Sequence, residues 1–248
     1  MGIIDLTNKT YVVTGAGSGI GQKTAIVLSE QGARVVMLDL SNEGLEETKK
    51  QLIGEGHITR ETDLTDFESL PDLIKSIITE TGSIDGLVHC AGISSRKPLN
   101  VLRPENFSKV MNVNFFSFEE LTRLLTKKGN MNDGGSIVVM SSISSIRGYK
   151  AKTEYCVSKA SVDAFVRCMA LELAPKKIRV NSVMAAEVLT PLALKAKELN
   201  RSVGASEFDA PLGPSDTYEV ANTIAFLLSD ATKTITGTSI LIDGGACI

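Results

Sequence analysis

Histidine is scarce: only His57 and His89 occur in 248 residues, both in strand-like runs where a packed or hydrogen-bonded imidazole is expected. Cysteine is little more common, at positions 90, 156, 168 and 247, with no C-x-x-C pair and no other ligand spacing. A metal centre is therefore not expected. Too few for a disulfide framework, the same four cysteines suit a reduced, cytoplasmic setting. No apolar run approaches the ~20 residues of a membrane span. Residues 1–6 do not read as a signal peptide, and Leu6 lacks the hydroxyl of a myristoylation site. Positive charge is not in excess either: the net charge is −3 and the pI near 5.6, which argues against nucleic acid as a partner. No G-x-S-x-G occurs, so a serine-hydrolase elbow is absent.

What is present alternates. Apolar strand-like runs fall at 11–13, 34–39, 57–62, 84–89, 135–140, 178–184 and 239–243. Between them lie helical patterns at 20–28, 42–54, 66–81, 107–128, 155–174 and 217–228. Asn42 is a candidate N-cap for the second of these, and Pro104 suits a helix start. Strand–helix alternation predicts an α/β protein: a doubly wound, seven-stranded parallel sheet with helices on both faces. The polar third run suits a sheet edge. There is no repeat, low-complexity segment or second domain, so residues 1–248 read as one domain. A mixed, breaker-containing stretch at 187–216 reads as a partly helical lid.

The first strand runs into Thr14-Gly-Ala-Gly-Ser-Gly-Ile-Gly21 and then a helix. Glycines admit a pyrophosphate to the backbone, and the helix N-terminus offers it unpaired N–H groups. The spacing is Gly15-x3-Gly19-x-Gly21. Asp39 ends the second strand, where a carboxylate accepts hydrogen bonds from ribose hydroxyls and repels a 2′-phosphate. No Lys or Arg lies within 14–21 or 38–43, so NAD(H) is preferred over NADP(H). Later in the chain, Tyr155 and Lys159 stand four apart on one helix face. Lowering a phenol's pKa by about three units takes roughly 4 kcal/mol, which an ammonium could supply only with help in a desolvated cleft.

The T-G-x3-G-I-G loop, followed at these spacings by Ser142, Tyr155 and Lys159, resembles the short-chain dehydrogenase/reductase family. The likeness runs from Lys9 to Gly245. Asn114, in Met111-Asn-Val-Asn-Phe, matches the fourth member of that family's catalytic tetrad. Asp63-Leu-Thr65, Arg179-Val-Asn-Ser and Asp243-Gly-Gly245 match further signatures. The resemblance implies a Rossmann-type fold and hydride transfer between a nicotinamide cofactor and an alcohol or ketone. It makes Tyr155 the general acid/base. Lys159 would lower the Tyr155 pKa and bind the nicotinamide ribose. Ser142 would hydrogen-bond the reacting oxygen, and Asn114 would hold a water in the proton relay. Cofactor contacts are implied for Gly15, Ser18, Gly19, Ile20 and Gly21, for Asp39 and Leu40, and for Asp63 and Leu64. Cys90, Ala91, Gly92, Tyr155, Lys159, Val188 and Thr190 complete that set. Two departures stand out: His89-Cys90 replaces the usual Asn-Asn, and Ala185-Ala186 the usual Pro-Gly.

Residues 93–98, 144–149 and 187–208 are expected to line the substrate pocket. They supply Ser94, Ser95, Arg96, Arg147, Tyr149, Glu187, Lys195 and Lys197, but only Phe208 as a lid aromatic. Such walls suit a small polar alcohol or ketone, such as a sugar or hydroxy acid. The alternatives are a 3-oxoacyl thioester reductase and a non-catalytic NAD-binding sensor or scaffold. Phe115, Phe116, Val162 and Phe165 give two helices apolar residues on more than one face. With the resemblance, this implies a homodimer or homotetramer.

Overall fold

The computed structural model describes residues 3–190 and 210–248. Among the described residues, seven strands build one parallel sheet: β1 (Thr10–Thr14), β2 (Arg34–Asp39), β3 (Ile58–Glu61), β4 (Ile84–His89), β5 (Met131–Ser142), β6 (Arg179–Ala185) and β7 (Ser239–Ile242). Their spatial order is β3-β2-β1-β4-β5-β6-β7. The connection after β3 therefore crosses back over β1, and the topological switch lies between β1 and β4.

Two hydrophobic clusters, one per face, follow from strand alternation. Val13, Val35, Met37 and Val183 face Val27 and Leu28 of α1 (Gly19–Glu30) and Val220 and Ile224 of a C-terminal helix. Their neighbours Val12, Val36, Leu38 and Val180 point the other way. There they meet Ile74 and Ile77 of α3 (Leu70–Thr81), Leu121 of α5 (Ser117–Leu125), and Val162 and Val166 of α6 (Thr153–Leu173). Burial on both faces explains the β-branched runs of β1 and β2. The C-terminal helix, α7 (Thr217–Leu228), starts with a full capping box between Asp216 and Glu219.

Several boundaries differ from the sequence pattern. Helix α2 (Asn42–Lys49) stops before Gly54, because Gln51 and Leu52 donate to carbonyls three residues back and tighten the chain out of the helix. Its cap is Ser41, not Asn42: the Ser41 hydroxyl accepts from the Gly44 N–H at 3.0 Å. Residues 66–69 form turns, and α3 begins only at Leu70. The pattern at 107–128 is three pieces: α4 (Pro104–Met111), a π-helical turn (Asn112–Phe116) and α5. Without Pro-Gly after it, β6 stays paired through Ala185, and the Ala186 N–H donates to the Ile242 carbonyl. Of the four residues expected on outer helix faces, Val162 is fully buried in the core and Phe115 and Phe165 pack against it. Phe116 remains open, together with Val157 and Leu171. Of the lid, residues 187–190 and 210–216 are described; Lys195, Lys197 and Phe208 lie outside the described residues.

Candidate active site

The C-terminal ends of β1, β2, β4, β5 and β6 bring the expected site together. Gly15 (φ +66°) presses its Cα on the turn after β4: an added Cβ would stand 2.9 Å from the Ala91 nitrogen. At Gly21 a Cβ would lie 2.1 Å from the Gly15 carbonyl oxygen, so the first turn of α1 sits directly on the loop. Ser18 occupies the N-cap without a side-chain hydrogen bond, and the first turn carries no acid. Its N–H groups remain available to an anion. On one flank, Gly19 lies against Thr190, whose Cγ2 is 3.5 Å from a Cβ built on it. On the other, the Asp39 carboxylate accepts the Gly17 N–H at 2.9 Å and the Ser41 N–H at 2.9 Å. A backbone cradle, an uncapped helix start and a flanking carboxylate together fit a dinucleotide.

The remaining expected cofactor contacts differ in exposure. Asp63 is exposed and accepts the hydroxyl and backbone N–H of Thr65, which hold its carboxyl below the usual range. Leu64 is buried in the core, while Leu40 is exposed. Val188 is buried and joined to Ser215 by a β-bridge.

Ser142 ends β5 opposite Ala185 of β6, and its hydroxyl both accepts the Ser144 N–H at 3.2 Å and hydrogen-bonds Tyr155. Tyr155 and Lys159 leave α6 on one face, with the Lys159 Nζ 5.8 Å from the phenol ring centre. The ammonium is 4% exposed and donates to the Met140 carbonyl at 2.7 Å. Burial lowers its pKa from 10.5 to about 8, against the pull of Asp163 one turn further along α6. Burial also raises the Tyr155 phenol, and the Ser142 hydrogen bond only partly offsets this. The phenol is thus shifted opposite to the expected direction, because desolvation outweighs its neighbours.

Asn114 sits in the π turn, fully buried; a Cβ built on Gly92 would stand 3.4 Å from its Oδ1 and 3.7 Å from the Lys159 Nζ. Its Oδ1 accepts the Ile93 N–H at 2.8 Å, and Nδ2 donates to the Ile93 carbonyl at 2.9 Å and the Ser158 hydroxyl at 3.0 Å. The amide oxygen and one amide hydrogen therefore fix the start of the 93–98 segment, and the other hydrogen ties Asn114 to α6. Cys90 is a poor nucleophile, its thiol pushed up to about 12 by burial.

Around the mouth, the Arg147 guanidinium and the Lys152 ammonium lie 5.8 and 5.6 Å from the Tyr149 ring centre. Ser95 turns inward and donates to the buried Glu154. The sequence pattern misses Lys152, Glu154 and Asp163. Spacing alone could have flagged Asp163, four residues after Lys159. Among the described residues there is no His, Cys, Asp or Glu cluster able to hold a metal, and no helix is long and apolar enough to cross a membrane.

The buried ammonium carries a measurable cost. Between its folded pKa near 8 and its unbound value of 10.5, the folded chain holds fewer protons than the unfolded chain, so stability rises with pH there. Lys159→Met is therefore expected to gain up to about 3 kcal/mol of stability at pH 7, less the cost of the freed Met140 carbonyl. The gap should close as pH rises from 8 towards 10.5. Urea unfolding of both proteins at pH 7 and pH 10 measures it; a gap that widened with pH would contradict a depressed Lys159.

Residues 15–247 match the family model described as enoyl-(acyl carrier protein) reductase. The chain is 35% identical over 246 residues to a 3-oxoacyl-(acyl-carrier-protein) reductase of Thermotoga maritima, covering 98% of this chain and 99% of that one. It is 32% identical over 250 residues to an NAD-dependent glycerol dehydrogenase of Listeria innocua, covering 98% and 96%. In structure it is similar to a ligand-free aldohexose dehydrogenase of Thermoplasma acidophilum, with TM-score 0.87, 29% identity and coverage of 99% and 96%.

Proposed function

The chain belongs to the short-chain dehydrogenase/reductase family of oxidoreductases acting on CH–OH groups, and from that premise we propose that it interconverts a small polar secondary alcohol and its ketone with NAD(H). The observation that carries the reading is the meeting of Ser142, Tyr155 and Lys159 beside the glycine cradle. A bound dinucleotide would supply the hydride acceptor or donor. Tyr155 exchanges a proton with the substrate oxygen, and Ser142 hydrogen-bonds the same oxygen. Lys159 holds its Nζ 5.8 Å from the phenol ring centre, where a positive charge favours the phenolate. Asn114 acts first as a clamp on Ile93, which keeps the 93–98 wall against the cofactor turn.

Arg147, Lys152 and Tyr149 at the mouth favour a polar substrate over a large apolar ring system, whose burial would strip water from those charges without return. Glycerol and aldohexose, named for two of the similar proteins, belong to that class. The 35% identity to a 3-oxoacyl-(acyl-carrier-protein) reductase favours a second reading, a 3-oxoacyl thioester reductase. Initial rates on polyols, sugars and hydroxy acids, set against hydroxysteroids and acyl thioesters, decide between them. Higher efficiency on either of the latter would overturn the first reading.

Assembly is the remaining element of the proposal. Phe116, Val157 and Leu171 leave apolar area uncovered on the outward helix faces. A second copy of the chain covers it, giving a homodimer or homotetramer. Light scattering at micromolar concentration should return at least twice the 26.5 kDa chain mass; a monomer would rule the assembly out.

A further inference from the structure

His89, the last residue of β4, is fully buried and lies between the cofactor cradle and the π turn. On its Nδ1 side stands the Thr14 hydroxyl at 3.1 Å. That hydroxyl accepts the Ala91 N–H at 3.2 Å and has its single proton to give to the imidazole. On the Nε2 side stands the Ser117 hydroxyl at 3.4 Å. Ser117 gives its own proton to the Val113 carbonyl at 2.7 Å, so it can only accept from the ring. The donors and acceptors close consistently in one way: Nδ1 bare, Nε2 protonated. In the opposite tautomer Nε2 has no proton for Ser117, and Ser117 could serve it only by giving up its 2.7 Å bond to Val113.

We propose that His89 is a positioning residue: a neutral, Nε2-protonated imidazole that ties the Thr14–Ala91 end of the cofactor cradle to the π-helical turn carrying Asn114. Phe118, with its ring centre 5.4 Å away, closes the site against water. The charged group that bears on the ring is Lys159, and together with burial it opposes a second proton, taking the pKa down to about 3. The imidazole is therefore a fixed strut over any working pH. The consequence is a coupling. A dinucleotide that orders the Gly15–Ala91 contact also orders the Val113 carbonyl, and with it the turn from which Asn114 holds Ile93. This assignment rests on the nicotinamide-binding reading for its functional consequence, but its geometry does not.

Nitrogen NMR of the wild-type protein labelled on histidine comes first, since it needs neither turnover nor a mutant. His89 should show the Nε2–H pattern without titrating between pH 5 and pH 9; an Nδ1–H pattern, or a titration in that range, would overturn the assignment. Affinity for NAD+ is then measured for His89→Leu, Ser117→Ala and their double variant. Residues that act through a coupled network without touching a ligand shift binding by about 2- to 30-fold. His89→Leu should weaken NAD+ binding about tenfold within that range, and His89→Asn, whose Oδ1 can take the place of Nδ1 towards Thr14 but cannot reach Ser117, should restore only part of it. Ser117→Ala should weaken binding alone but add little in the His89→Leu background. Independent, multiplying effects would show two separate packing defects instead. If the NMR pattern holds but no variant and no wild type binds NAD(H), the functional reading has failed and the strut has not.

Discussion

Tyr155→Phe is expected to lower turnover by about 10²- to 10⁴-fold, the range that loss of a positioned proton carrier costs, while leaving NAD+ affinity within a few-fold. The ring stays and keeps its packing, so only the hydroxyl and its Ser142 hydrogen bond disappear. Burial holds the phenol above its ordinary range, so no solvent base can substitute for it cheaply. Calorimetric NAD+ titration beside steady-state rates separates the two effects. Rates within tenfold of wild type, with unaltered binding, would mean that the proton travels by another route.

Discrimination against NADP(H) is the second large effect expected: an efficiency ratio of at least ~10² in favour of NAD(H), since like charges brought together cost several kcal/mol. The Asp39 carboxylate is held in place by the N–H groups of Gly17 and Ser41, so it cannot swing away from a 2′-phosphate. A Cβ on Gly17 would stand 2.9 Å from the Asp39 Cγ, which leaves no room there for a longer cationic side chain. The same bonds make Asp39 a structural pin. Asp39→Asn keeps one acceptor but points an amide donor at the other N–H, so it should weaken NAD(H) without creating a good NADP(H) enzyme. Efficiencies with both cofactors for both proteins test this; equal or better use of NADP(H) by the wild type would contradict it.

Much of this was legible in the chain because the signals are local. An apolar run, a glycine turn and a helix fix the cradle from Thr14 to Gly21, and the four-residue step from Tyr155 to Lys159 survives as one face of α6. The π turn was not legible. Its extra residue leaves the apolar pattern of 107–128 nearly intact, yet it turns Asn114 inward onto Ile93. Ser41 and Asn42 are both good caps, and only the backbone geometry selects Ser41. His89 read as an ordinary core histidine, because its partners Thr14 and Ser117 are distant in sequence and no spacing rule joins them. Lys159 was expected to depress the Tyr155 phenol. Instead both groups are so buried that each pays a desolvation cost, which sequence cannot weigh.

Reduction of NAD+ by a panel of polyols, sugars and hydroxy acids, run side by side with wild-type protein and Tyr155→Phe, tests the central claim most directly. The expected result is NADH formation by the wild type with at least one panel member and its near-complete loss in the variant. No NADH from any member in the wild type, or equal rates from both proteins, would contradict hydride transfer through this site.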